Sequence, residues 1–149
     1  MTGLYLTQSE ADFLIQMPKH RTDDLALDLP DLGGKISVPL TSDDRRESFL
    51  LDVSRGRIDL LRAKYQNRGR QTVILVRLDL GGAPHRNPDG EDIQCPHLHI
   101  YRDGFADKWA QAPPVEHFQN MGDIFGVLGD FMKFCNVVTP PNFQRGLFT

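Results

Sequence analysis

Apolar positions along the chain follow two rhythms. Near the start, Ala11, Phe13, Leu14 and Met17 share one helical face. Near the end, Ile124, Leu128, Phe131 and Cys135 recur at i, i+4, i+7 and i+11. A stripe of this period buries one side of an amphipathic helix. Thr7-Gln8-Ser9-Glu10 spells a capping box, so the first helix is predicted over residues 8–18. Asn120 and Asp123 begin the second, over residues 120–138, and Pro140-Pro141 stop it.

Between the helices the rhythm changes to alternation, the signature of half-buried strands. Lys35 to Leu40 alternates briefly, and Pro39 marks it as an edge strand. Phe49–Val53, Ile58–Tyr65 and Thr72–Leu80 read as three strands. The links Ser54–Arg57 and Gln66–Arg70 read as tight turns, which favour antiparallel neighbours. Gly81-Gly82 ends the third strand, and a loop from Ala83 to Cys95 leads to a fourth at residues 97–102. The fold class predicted is α+β: a single antiparallel β-meander sheet of four to five strands, with an N-terminal and a C-terminal helix packed mainly on one face. Residues 1–149 form one domain.

Carrying the alternation across neighbouring strands predicts two faces. Leu61, Ile74, Val76, Leu78, Leu98 and Ile100 form the core, covered by Leu128, Phe131 and Cys135. The other face shows Arg62, Lys64, Arg77, Asp79, His97, His99 and Tyr101. A one-residue bulge in any strand would undo part of this arrangement.

An apolar content of 40% suits a packed globule rather than a disordered chain. No apolar run approaches the ~20 residues of a membrane span, and the N-terminus has no secretory pattern. The two cysteines, Cys95 and Cys135, are therefore expected reduced, in a cytoplasmic setting without a membrane partner. The net charge of −3 hides a basic segment. Arg55, Arg57, Arg62, Lys64, Arg68 and Arg70 face the single acid Asp59 there, and such a local field attracts anions whatever the total.

These residues predict a chemistry. His97 and His99 are candidate acid and base for phosphodiester cleavage, with Arg62, Lys64 and Arg77 as phosphate contacts. Tyr65 or Tyr101 would stack a base. His85 sits in a long loop placed to fold over the histidines as a lid. The expected partner is RNA or another phosphate-bearing ligand, cleaved without metal; no cofactor is expected. Cys95-x-His97-x-His99, completed by His85 or His117, is a weaker zinc pattern. Pro96 and the lack of an oxyanion loop count against Cys95 as a nucleophile.

Gly56-Arg57-Ile58, Tyr65-Gln66-Asn67-Arg68, Arg77-Leu78-Asp79-Leu80-Gly81-Gly82, Pro84-His85-x-Asn87-Pro88-Asp89-Gly90 and Cys95-Pro96-His97-Leu98-His99-Ile100-Tyr101-Arg102 together resemble a family of small bacterial and phage-borne proteins of unknown function. The resemblance covers about residues 45–138 and transfers no site. It implies a prokaryotic, cytosolic setting. There the alternative role is an inhibitor or adaptor that binds a host protein complex, such as a defence system.

Overall fold

The capping box forms at the start of α1 (Gln8–Gln16). Thr7 Oγ1 accepts from the Glu10 amide at 3.1 Å, and the Glu10 carboxylate accepts from the Thr7 amide at 2.9 Å. The helix stops at Gln16 because Met17, which precedes Pro18, is extended. In the computed structural model, which describes residues 5–58 and 62–144, twelve strands join this helix and one other. They are β1 (Lys19–Arg21), β2 (Ala26–Asp28), β3 (Lys35–Thr41), β4 (Ser48–Arg55), β5 (Ala63–Gly69), β6 (Val73–Asp79), β7 (His85–Arg86), β8 (Asp92–Ile93), β9 (His97–Ile100), β10 (Ala110–Gln111), β11 (Val137–Thr139) and β12 (Asn142–Gln144). The second helix, α2 (Ile124–Phe134), lies between β10 and β11 and is capped by Asp123.

The α+β class stands, but the four-to-five-strand antiparallel meander is corrected. The main sheet has eight strands in the order β10-β9-β6-β5-β4-β3-β1-β11. It is mixed, because β1 and β11 run parallel. Two further two-stranded sheets form, β12 with β2 and β7 with β8. The added strands are two or three residues long, too short to show an alternation. β3 is not an edge strand; β1 pairs with it at Leu40 and Thr41 only, so Pro39 lies where β3 has one neighbour. The predicted turn Gln66–Arg70 is mostly strand, and the real turn is at Arg70 and Gln71, both at positive φ. Most of the predicted strand Ile58–Tyr65 is displaced towards the C-terminus, and Leu61 lies outside the described residues.

The pairing register makes the two faces explicit, since directly opposed residues share a face. Ile36, Val53, Tyr65, Leu78 and Leu98 form one row across five strands. Alternating with it run two polar rows: Ser37, Asp52, Gln66, Arg77 and His99, then Lys35, Ser54, Lys64, Asp79 and His97. Both helices pack on the apolar side, where the buried residues form one core. Tyr65 Oη donates to the Ile124 carbonyl of α2 at 2.8 Å, and Leu14 of α1 lies beside Leu75 over Gly69.

One bulge breaks the alternation. Asn67 opposes Val76 and Arg68 opposes Ile74, which leaves Leu75 without a ladder partner. Leu75 and Val76 are both buried as a result. Tyr101, whose amide donates to the Leu75 carbonyl, lies with the core on the helical side. The Tyr101 hydroxyl accepts from the Leu6 amide at 2.8 Å and donates to the Leu6 carbonyl at 2.9 Å. The placement of Tyr101 on the polar face is therefore corrected.

Candidate functional site

The strand period brings His97 and His99 to one side of β9, and the register sets Asp79 and Arg77 opposite them on β6. The loop after Gly82 then folds across. Asn87 is buried and clamps it to the sheet edge: its Nδ2 donates to the Ala110 carbonyl and its Oδ1 accepts from the Ala110 amide. Gly90, at positive φ, closes the β7–β8 turn. This folding places the His85 ring edge-on to His99, with centroids 4.6 Å apart. His97 and His99 are consequently buried, 3% and 0% exposed, rather than open to solvent as expected.

Each polar atom in this cluster has a definite direction. His99 Nδ1 lies 2.8 Å from the Asp107 carbonyl, which can only accept, so the proton is assigned to Nδ1. His99 Nε2 then faces Arg77 Nη2 at 3.0 Å and Asp79 Oδ2 at 3.4 Å. His97 Nε2 reaches the same Asp79 oxygen at 3.0 Å. Arg77 also donates to Asp107 Oδ2 at 2.8 Å. Burial raises the Asp79 carboxyl, but the polar contact with His99 and the positive charge of Arg77 outweigh it and hold the group well below the usual carboxylate range.

Cys95 Sγ lies 3.5 Å from His97 Nδ1 and 3.9 Å from Nε2. Near-equal distances to both nitrogens put the sulfur off the Nδ1 lone-pair direction. Burial and the Asp79 charge push the Cys95 thiol up, against the pull of Arg62. It is a protonated thiol rather than a poised nucleophile.

His97, Asp79 and Cys95 form the floor of a cleft of about 690 Å³ at one end of the sheet. Arg55, Arg57, Arg62 and Lys64 line it, with backbone from Gly33, Gly56, Gly81 and Gly82. Arg57, Arg62 and Lys64 make no salt bridge with a described carboxylate. Arg62 lies close over the backbone of Gly56, Gly81 and Gly82, where a side chain would crowd it. A Cβ on Gly81 would lie 3.2 Å from Arg62 Cγ, and one on Gly82 3.1 Å from its Nη2. Gly82 also has φ +115°, which other residues rarely adopt.

Residues 6–137 match the model of DUF6978, a family of unknown function. The chain belongs to this family. No curated protein and no solved structure gives a match. No described helix of this DUF6978 chain is long and apolar enough to cross a membrane.

The predicted residues divide into three places. Arg62, Lys64 and His97 meet at the cleft. His99, Arg77 and His85 lie beneath or beside it, tied to Asp107, Asp79 and Lys108. Tyr65 and Tyr101 are buried on the opposite side and present no ring for stacking. Sequence reasoning did not single out Arg57, Asp107 or the glycines of the DUF6978 cleft. Arg57 lay within the basic segment, and Gly81-Gly82 was visible only as a strand terminator. Asp107 carried no periodic signal, because it reaches the cluster from irregular chain.

Proposed function

We propose that this protein binds a phosphate-bearing ligand of nucleotide size, either a free nucleotide or one unit of an RNA strand. The carrying observation is that Arg57, Arg62 and Lys64 surround one cleft and make no salt bridge with a described carboxylate, in a chain of net charge −3. Cations lining a concave site focus a positive potential that phosphate oxygens satisfy. The volume falls within the roughly 300–1,000 Å³ of small-ligand pockets. Backbone at Gly56, Gly81 and Gly82 lets a phosphate come close, and Arg62 offers a forked donor. Two imidazoles facing one ligand would require His99 in the cleft wall, and it is fully covered. The reading is therefore binding, with His97 as the imidazole within reach of the ligand. The bacterial or phage cytosolic setting belongs to the same proposal.

Calorimetric titration with pyrophosphate, AMP and an eight-nucleotide RNA tests it. At least one probe is expected to bind, more weakly as salt rises. The Arg62→Ala/Lys64→Ala double variant is expected to lose at least about tenfold in affinity, since two charge-assisted contacts vanish. Unchanged affinity in that variant, or no binding of any probe to wild type at low salt, contradicts the proposal. Tighter binding of the RNA than of AMP would assign the strand as the ligand.

A further inference from the structure

Asp79 presents an unusual imbalance. Three nitrogens converge on Oδ2: His97 Nε2 at 3.0 Å, Arg77 Nη2 at 3.3 Å and His99 Nε2 at 3.4 Å. The other oxygen, Oδ1, is buried and has no hydrogen-bond partner. A hydrogen-bonded carboxylate spreads its donors over both oxygens, and leaving one bare inside a protein is costly. Two of these three nitrogens belong to imidazoles, which with the carboxylate can ligate an ion.

Four further observations agree. One ring nitrogen from each of His97 and His99 and a carboxylate oxygen of Asp79 lie within 4.8 Å of one another. Ligands bound at about 2.0–2.2 Å with angles between 90° and 110° stand roughly 3.0–3.4 Å apart, which matches the two Nε2–Oδ2 separations. The far nitrogen of His99 donates to the Asp107 carbonyl, the outer contact that fixes a metal-binding tautomer. The two histidines alternate along one rigid strand with the carboxylate directly across the ladder, so the donors are held before anything binds.

We propose that Asp79, His97 and His99 form a binding site for one divalent first-row transition-metal ion at the floor of the cleft. Two imidazoles and one carboxylate suit such ions and leave coordination positions open. Asp79 and His97 line the cleft, so an open position faces its contents. Arg77 competes for the same donors. Its Nη1 is anchored on Asp107, and Nη2, 3.0 Å from His99 Nε2, would have to leave that nitrogen for an ion to bind. Cys95 lies against the His97 ring and is not one of the three ligands. This site rests on the donor geometry and not on the phosphate reading.

The test is equilibrium binding of Co²⁺ and Zn²⁺ to the purified full chain after chelator treatment and gel filtration. One ion per chain is expected, with visible ligand-field bands for Co²⁺ and a rise in unfolding temperature that grows with ion concentration. Asp79→Asn and His97→Gln are each expected to weaken Co²⁺ binding at least 100-fold. Cys95→Ser is expected to keep both affinity and bands. X-ray absorption on the wild-type complex, which needs no variant to fold, is expected to show two imidazoles and no sulfur. No stoichiometric ion in wild type, a sulfur scatterer, or unchanged affinity in both Asp79→Asn and His97→Gln overturns the proposal. Phosphate titrations in excess chelator keep failure here distinct from failure of the anion-binding reading.

Discussion

Lys19→Met is expected to lower folding stability by about 3–5 kcal/mol, read from urea unfolding. Lys19 is fully buried, yet its ammonium is almost entirely satisfied. Nζ donates to the carbonyls of Ile15 at 2.8 Å, Met17 at 3.1 Å and Cys135 at 2.7 Å. It also stands 4.8 Å from the centre of the Phe49 ring. The carbonyls belong to the C-terminal ends of both helices, where the last turn of a helix leaves acceptors unpaired. One side chain thus joins two helix ends. Methionine fills the volume and leaves buried acceptors without donors.

The pH dependence of the same residue has a definite sign. Burial pushes the Lys19 ammonium down to about 8 from an ordinary 10.5, against a smaller opposing effect of the neighbouring Cys135. Between these values the unfolded chain binds more protons than the folded one, so stability rises with pH across that window. The rise is at most about 3 kcal/mol. Lys19→Met is expected to lack it. Parallel pH profiles for wild type and variant would refute this assignment.

Asp52→Ala is the second large loss, expected at about 2–4 kcal/mol. Asp52 is 2% exposed in the centre of the polar face. Arg68 grips both its oxygens, at 2.6 Å and 2.9 Å, and Ser37 and Gln66 add one bond each. Removing the carboxylate strands a partly covered guanidinium and two donors. Burial raises the Asp52 carboxyl, but these bonds outweigh it and the group titrates below its ordinary range. A depressed carboxyl contributes stability above its unfolded pKa and loses it as pH falls through the folded value. Wild type is therefore expected to lose stability in acid more steeply than Asp52→Asn. Equal slopes in denaturant midpoints below pH 4 would contradict that.

The same residue explains why part of the fold was hard to read. Gln66-Asn67-Arg68-Gly69 looks like a solvated turn by composition. Its polar residues are in strand because Asp52, fourteen to sixteen positions away, gives Gln66 and Arg68 a partner. A local pattern carries no trace of that partner. The helices were legible because capping and periodicity are local, as Thr7 with Glu10 shows. The short strands β1, β10 and β11 were not, since two or three residues make no period.

The site divides the same way. Period two placed His97, His99, Arg77, Asp79 and Lys64 on one face, and the register agrees. It could not show that Asn87 would draw a loop across the histidines and bury them. Nor could it show the bulge at Leu75 that turns Tyr101 away. The cleft itself arises from strand ends meeting, Gly33 and Gly56 with Gly81 and Gly82, which no periodicity encodes.

Amide-resolved NMR titration of the chelator-treated protein with AMP tests the anion-binding cleft most directly. The account predicts saturable shifts centred on Gly56, Gly81, Gly82 and the Arg62 side chain, abolished by Arg62→Ala/Lys64→Ala. Shifts that leave these positions untouched, or that persist unchanged in the double variant, would contradict it.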